Sequence, residues 1–232
     1  MIRQAIILAG GEGRRFRPYT SDRPKAMVHV KGRPIAEHQL AWLRRHGVTE
    51  IVFSLGYRAD VVQSYFGESW NSSCRISYAV ETEPLGRGGG LRLAMEYLPF
   101  PDEQCFAVNG DIITDCPLDE FFDHHARLSV AATIGVVPYR SSWGVVAVED
   151  GLVREFNQSP VLPYWINAGI YVLTPEVKEL LPTRGDHEDS TFPELAREAR
   201  LGAFEFRHMW LPIDTEKDLL LADRQIEAAV DQ

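Results

Sequence analysis

The order of apolar segments over the first 80 residues leaves this chain few folds to adopt. Arg3 to Leu8 reads as a buried parallel strand, apolar without a break from Ala5 to Leu8. Pro34 to Arg45 carries Ile35, Leu40 and Leu43 at helical spacing and stops at Gly47. Ile51 to Leu55 is a second apolar strand, Arg58 to Phe66 suits a helix with Val61, Val62 and Tyr65 inward, and Arg75 to Val80 alternates like a third strand. Strand, helix, strand, helix, strand predicts an α/β fold of three layers, Rossmann-like, around a mostly parallel central sheet. Such a sheet gathers its ligands at the carboxyl ends of its strands. The 232 residues suit a single domain of this class.

The segment after the first strand indicates which ligand to expect. The run Leu8 to Met27, LAGGEGRRFRPYTSDRPKAM, places Gly10, Gly11 and Gly13 where backbone amides can approach a ligand without interference from Cβ. Arg14, Arg15 and Arg17 come next, and Lys25 comes after a proline, so fixed cations share the loop with the amides. A polyanion is the expected guest. A glycine-rich turn that merely closes a strand would look similar, so two known nucleotide motifs need checking. The dinucleotide fingerprint requires a third glycine where Phe16 stands, and the P-loop requires Gly-Lys-Ser/Thr; neither is present.

Charge supports a focused site. The chain has 33 acidic and 24 basic residues, a formal charge of -9, which excludes a general phosphate-backbone binder and hence nucleic acid as a partner. Six of the 24 basic residues (Arg14, Arg15, Arg17, Arg23, Lys25 and Lys31) nevertheless fall within positions 14–31. Cys74, Cys105 and Cys116 are scattered, without the spacing of a zinc site or redox pair, and read as reduced thiols. No charged, apolar leader and no run of about 18 apolar residues is seen, so the expectation is a cytoplasmic protein without a membrane partner.

A second loop, Glu81 to Leu91 (ETEPLGRGGGL), leads into a helix expected over Leu91 to Tyr97. Glu83 in it is acceptor-only and could take both NH donors from the edge of guanine, or could simply face water. Cys105 to Val108 reads as another buried strand, ending in Asn109-Gly110-Asp111, where a carboxylate at a strand tip suits Mg²⁺ gripping a phosphate, although an ordinary turn has the same composition. His124 and His125, adjacent on a helix, point to different faces and make a poor metal pair. Val130 to Val137, Gly144 to Val148 and Val153 to Phe156 read as strands. Asp186 to Asp189 reads as a solvated loop capping a helix that begins at Phe192.

The opening stretch resembles the signature of the sugar-1-phosphate nucleotidylyltransferases, LAGGxGTRLxPLT and then PKPM. Leu8, Ala9, Gly10, Gly11, Gly13, Arg15, Pro18, Thr20, Pro24, Lys25 and Met27 match in order and without gaps, while Arg14, Phe16, Tyr19 and Ala26 depart. The short chain and the EPLG loop look most like the mannose- and heptose-1-phosphate guanylyltransferases of that group. The resemblance implies an enzyme that joins a nucleoside triphosphate, GTP favoured, to a sugar 1-phosphate and releases pyrophosphate, using Mg²⁺. Residues 1–115 would form the nucleotide-binding half and 116–232 the sugar-phosphate half.

By the same resemblance Arg15 and Lys25 would be catalytic, and Leu8, Ala9, Gly10, Gly11, Gly13, Glu83 and Gly88 would bind nucleotide. Asn109, Gly144, Gln158, Asn167 and Gly169 would line the sugar-phosphate pocket. Two departures matter. The family's EKP segment is Gln158-Ser159-Pro160 here, so a sugar-phosphate lysine is missing and Arg14 or Arg87 would have to supply its charge. The family's WxDIGTPEDL is matched by Trp210 to Leu219 with Pro212 at the metal aspartate, so Asp111 is expected to bind metal with Asp214, two residues beyond Pro212 on the same side of an extended strand. Asp214 could instead cap the last helix, Glu216 to Ala229. Two other readings remain: cytidylyl transfer to a phospho-alcohol such as phosphocholine, with Trp143, Tyr164 and Trp165 as a cage for its cation, and a silent nucleotide-sugar-binding regulator. A homodimer is compatible with this reading and not required by it.

Overall fold

The computed structural model describes residues 1–230. The first strand, β1 (Gln4–Leu8), is entirely apolar after Gln4, and its alternate side chains face opposite ways: Ala5 and Ile7 enter one core, Ile6 the other. The short pair β2 (His29–Val30) and β3 (Arg33–Pro34) precedes α1 (Ile35–Arg45), which packs Ala36, Leu40 and Leu43 on the Ile7 side. Next come β4 (Glu50–Leu55), α2 (Ala59–Phe66), β5 (Ser69–Trp70) and β6 (Cys74–Val80). After these lie α3 (Gly86–Met95), β7 (Cys105–Asn109), β8 (Ile112–Thr114), α4 (Leu118–Leu128) and β9 (Ala132–Arg140). The hairpin of β10 (Gly144–Glu149) and β11 (Leu152–Gln158) leads to the long β12 (Val161–Leu173). The chain ends with α5 (Val177–Leu180), α6 (Thr191–Arg197), β13 (Leu201–Glu205), β14 (Trp210–Pro212) and α7 (Glu216–Val230).

The central sheet has eight strands in the order β13-β9-β12-β7-β1-β4-β6-β5. β7, β1, β4 and β6 run parallel, whereas β12 is antiparallel to both β7 and β9. α1, α2 and α4 cover one face, and α3, α5 and α6 the other, which gives the expected three-layer Rossmann-like α/β fold. A third apolar cluster, with Phe16, Val30, Ile113, Ile213, Leu219 and Ala222, fastens α7 to the ribbon of β8 and β14 beneath the glycine loop. Cys74, Cys105 and Cys116 are buried and unpaired with one another. No helix among the described residues is long and apolar enough to cross a membrane.

Three local expectations are corrected. Tyr65 does not face inward; its hydroxyl donates to Glu37 at 2.7 Å, and Phe66 takes the buried place beside Phe53. The helix expected from Leu91 starts five residues earlier, so Gly86, Gly88, Gly89 and Gly90 lie inside α3 rather than in a loop. Glycine costs about 1 kcal/mol per helical position, and the reason it is tolerated is packing. The segment 182–187 lies so close that a Cβ at Gly89 would be 2.6 Å from the Thr183 carbonyl oxygen and one at Gly88 2.7 Å from Pro182. Gly89→Ala therefore sets a propensity gain of about 1 kcal/mol against an overpacking cost of roughly 1–3 kcal/mol, and a lower melting temperature is expected. A raised one would show that segment 182–187 does not seat on α3.

The third correction concerns Asp186 to Asp189, which is solvated only in part: Asp189 is exposed, Asp186 and Glu188 are half-buried, and His187 is enclosed. His187 is fully buried, edge-on to Tyr171 and Phe192, with Nε2 3.3 Å from Glu188 Oε2 and neither ring nitrogen well placed for a hydrogen bond. Burial, aided by the Arg87 guanidinium, pushes its pKa down from 6.5 to about 4. Because the unfolded chain then binds a proton that the native one refuses, stability is complete above pH 6.5 and falls as pH drops toward about 4. Denaturant titrations across that window should show the loss, and His187→Met should flatten it.

Candidate active site

The carboxyl ends of β1, β4, β6 and β7 open into a cleft of about 920 Å³. Leu8, Ala9, Gly10, Gly11, Gly13, Arg15 and Lys25 line one side, with Asn109, Asp111 and Asp214 at one end and Glu81, Glu83 and Arg87 across from the loop. A shallower hollow of about 880 Å³ near β5 has no such loop, and its Arg75 is paired with Glu50.

The glycine loop is held from below. Gly13 takes the left-handed conformation (φ 58°), and its carbonyl accepts the Thr20 hydroxyl at 2.8 Å. Phe16 is buried under the loop, and Tyr57 donates its hydroxyl to the Ser21 carbonyl at 2.9 Å. Arg14 is committed to Glu12 through two hydrogen bonds of 2.6 and 3.0 Å. Arg15 is exposed on the cleft and has no carboxylate partner among the described residues.

At the other end three charges converge. Lys25 Nζ lies 2.9 Å from Asp111 Oδ2 and 2.6 Å from Asp214 Oδ1, with only 15% of its side chain exposed. Burial alone would lower the pKa of this ammonium, but the two carboxylates together outweigh burial and hold it above its ordinary value. Backbone geometry brings the acids together: the Ile213 amide donates to the Asp111 carbonyl at 2.9 Å, and β14 pairs with β8 from Trp210 to Pro212. From α1 the buried Gln39 braces the same turn, its amide donating to the carbonyls of Asn109 (2.8 Å) and Ile112 (2.9 Å). Asp214 does not cap α7. Thr215 does, with Asp218 Oδ2 accepting from the Thr215 amide at 2.8 Å and Asp218 N reaching back to Thr215 Oγ1.

These residues suit a hard cation. Two carboxylates already share one positive charge, and both present oxygen to a single point, which is the donor chemistry Mg²⁺ prefers when phosphate and water complete its shell. Among the described residues no group of three or more His, Cys, Asp or Glu could hold a metal, so ligands beyond these two carboxylates would come from phosphate and water.

On the facing wall, Glu83 is exposed and 3.5 Å from Arg184. Glu81, which sequence reasoning passed over, is the more enclosed acid: Oε2 accepts the Leu85 amide at 3.0 Å, and burial raises its pKa. Its signal was available, an acid directly after β6, much as Asp111 stands two residues beyond β7. Gln39 had one too, a lone amide among Ala36, Leu40 and Leu43. Arg87 donates to Asp186 at 2.9 Å and Glu188 at 2.9 Å, so it is neutralised rather than free to replace the missing lysine. Gly88 sits in α3 with its amide given to the Gly185 carbonyl, and it faces segment 182–187, not the cleft.

The residues expected to hold the sugar phosphate are more dispersed. Asn109 lines the cleft, and its Oδ1 is buried without a partner. Gly169 backs onto Asn109, and Asn167 accepts the Gly169 amide at 2.9 Å while donating to the Tyr171 hydroxyl at 3.0 Å. Gly144 and Gln158 are cross-strand partners on the exposed hairpin and do not reach the cleft. Trp143, Tyr164 and Trp165 are exposed outside it, and Arg207 already stands over the Trp165 ring at 5.2 Å.

Known proteins resemble this chain in sequence and in fold. Mannose-1-phosphate guanyltransferases from Emericella nidulans and Candida albicans are 37% and 36% identical over 94% of this chain, which spans 62% of their length. Among solved structures, HddC from Yersinia pseudotuberculosis superposes with a TM-score of 0.76 at 24% identity, over 97% of this chain and all of that one. A UDP-glucose pyrophosphorylase solved with UDP-glucose gives 0.77 at 18% identity, over 99% of this chain and all of the other. With the Nucleotidyl transferase family matched over residues 4–229, the chain belongs to the nucleotidyl transferases.

Proposed function

We propose that this chain transfers a nucleotidyl group from a nucleoside triphosphate, GTP favoured, to a mannose- or heptose-like sugar 1-phosphate, forming a nucleotide sugar and pyrophosphate. The observation that carries this reading is Lys25 held between Asp111 and Asp214 at the end of the glycine-lined cleft. The base and sugar are supported by the relatives at 36–37% identity, each a mannose-1-phosphate guanyltransferase.

A phosphate monoester, with a second pKa of about 6, is dianionic near neutrality and needs no general base to attack the α phosphorus. The obstacle is repulsion between anions, about 4 kcal/mol for each unit-charge pair about 4 Å apart at an effective dielectric of 20. In this reading the amides of Gly10, Gly11 and Gly13, with Arg15, hold the β and γ phosphates that leave. Lys25 lies between the α phosphate and the incoming sugar phosphate, where a point charge tracks the shifting negative charge. Asp111 and Asp214 would hold Mg²⁺, whose positive charge would offset part of the negative charge on the phosphates. Leu8 and Ala9 border the nucleoside, Glu81 and Glu83 offer acceptors to a base edge, and Asn109 Oδ1 offers one to a sugar hydroxyl. Asn167 and Gly169, packed behind Asn109, would shape the sugar side of the cleft.

Incubating the protein and Mg²⁺ with each of the four triphosphates against mannose, heptose and glucose 1-phosphates, with phosphocholine as a control, tests this. Pyrophosphate should appear fastest with GTP and a manno-configured acceptor. No pyrophosphate from any pair would refute the reading.

A further inference from the structure

Tyr19 stands where the signature that this chain resembles has leucine, and the structure gives its hydroxyl a partner. It donates to Glu216 Oε1 at 2.8 Å, across 197 residues of chain. Both partners belong to short turns that are braced from within. On the loop side the Phe16 amide donates to the Gly13 carbonyl at 2.8 Å, and the Tyr19 amide to the Phe16 carbonyl at 3.1 Å. The Tyr19 ring lies 5.1 Å from that of Phe16, which is buried in the third apolar cluster. Arg15 is carried on this same turn, so whatever fixes Tyr19 fixes where that cation stands. On the far side Glu216 opens α7 two residues after Asp214. Asp218 Oδ2 accepts from the amides of Asp214 at 3.2 Å and Thr215 at 2.8 Å, which holds Asp214 to Glu216 in one capped turn.

Among the described residues, two side-chain hydrogen bonds join residues 8–27 to α7 and the turn before it: Lys25 to Asp214 at 2.6 Å, and Tyr19 to Glu216. The first cannot outlast the reaction. Lys25 must leave Asp214 to meet phosphate, and Asp214, 57% exposed, then loses the ammonium that holds it. The second involves no reacting group and can persist throughout.

We propose that Tyr19 and Glu216 form a latch that keeps Asp214 in register with the glycine loop when Lys25 lets go, with Tyr19 as a positioning residue. Its purpose rests on the proposed function, whereas its existence can be tested without turnover. A hydroxyl given to a carboxylate is charge-assisted and about twice as strong as a neutral pair. This one lies at the surface, where water and salt screen it. Leucine at position 19 would offer no donor at all, so the latch belongs to this chain rather than to the resembled signature.

Hydrogen exchange of amides 213–219, followed without metal or nucleotide, is the direct test. In the wild type Lys25 holds Asp214, so Tyr19→Phe, which keeps the ring and removes the hydroxyl, should change exchange there by less than about twofold. In Lys25→Ala the latch is the remaining tie, and adding Tyr19→Phe should speed exchange about threefold to tenfold. Glu216→Ala should produce the same acceleration in the Lys25→Ala protein, and Glu216→Gln, whose amide oxygen still accepts, should largely keep the protection.

Turnover gives an independent reading. With Lys25 intact, Tyr19→Phe should raise the Mg²⁺ needed for half-maximal rate about threefold to tenfold, while kcat at saturating Mg²⁺ stays within about twofold of wild type. Exchange no faster in the double variant than in Lys25→Ala would overturn the latch. So would unequal effects of Tyr19→Phe and Glu216→Ala, or an unaltered Mg²⁺ requirement. Absence of pyrophosphate release from the wild type, with the exchange pattern as expected, would count against the activity and leave the latch standing.

Discussion

Lys25→Ala is expected to lower kcat at least about 100-fold, the scale of losing one donor that meets developing charge in the transition state. The geometry argues for a loss of this size. Lys25 is the enclosed cation of the site, 15% exposed, whereas Arg15 is open to solvent and screened accordingly. Its ammonium is held by Asp111 and Asp214, so it cannot meet phosphate until those carboxylates accept another cation. Removing it should therefore have two opposite effects: turnover collapses, while Mn²⁺ binding to the nucleotide-free protein, read by electron paramagnetic resonance, tightens. Near-normal turnover would take Lys25 out of the chemistry. Unchanged Mn²⁺ affinity would show that ammonium and metal do not compete.

Asp111→Asn should raise the Mg²⁺ concentration for half-maximal rate by more than tenfold, and Asp214→Asn should do the same to a smaller degree. Each change deletes one unit charge from the pair. At about 4 Å and an effective dielectric of 20 the full interaction of two unit charges is near 4 kcal/mol, and solvent screening reduces it further where the side chain is exposed. Asp214, 57% exposed, loses more to screening than Asp111, 36% exposed, which sets the order of the two effects. Metal titrations of the initial rate measure both. An unaltered titration for Asp214→Asn would leave Asp111 without this partner.

Much of this protein was legible before its coordinates. The alternation from Gln4 to Val80 announced the parallel half of the sheet, because a buried strand and an amphipathic helix each leave a periodic record in composition. Arg15 and Lys25 stood out because both match the resembled family's opening signature in order and without gaps. Asp214 could be singled out from the family resemblance, two residues beyond Pro212 on the same side of an extended strand, but whether it capped α7 or faced Lys25 depended on Thr215 and Asp218 taking the cap.

Where reading failed, the missing term was a contact distant in the chain. Four glycines in a row of ten look like a loop by propensity, and only segment 182–187, nearly a hundred residues on, requires them in a helix. The acids at 186 and 188 look solvated until Arg87 is found between them. Local sequence records which face of an element must be dry, because that depends on neighbours a few residues away. It does not record which remote segment dries it, and here that choice turned Arg87 from a candidate phosphate ligand into a brace, and let a lysine and two aspartates far apart in the chain meet at one point.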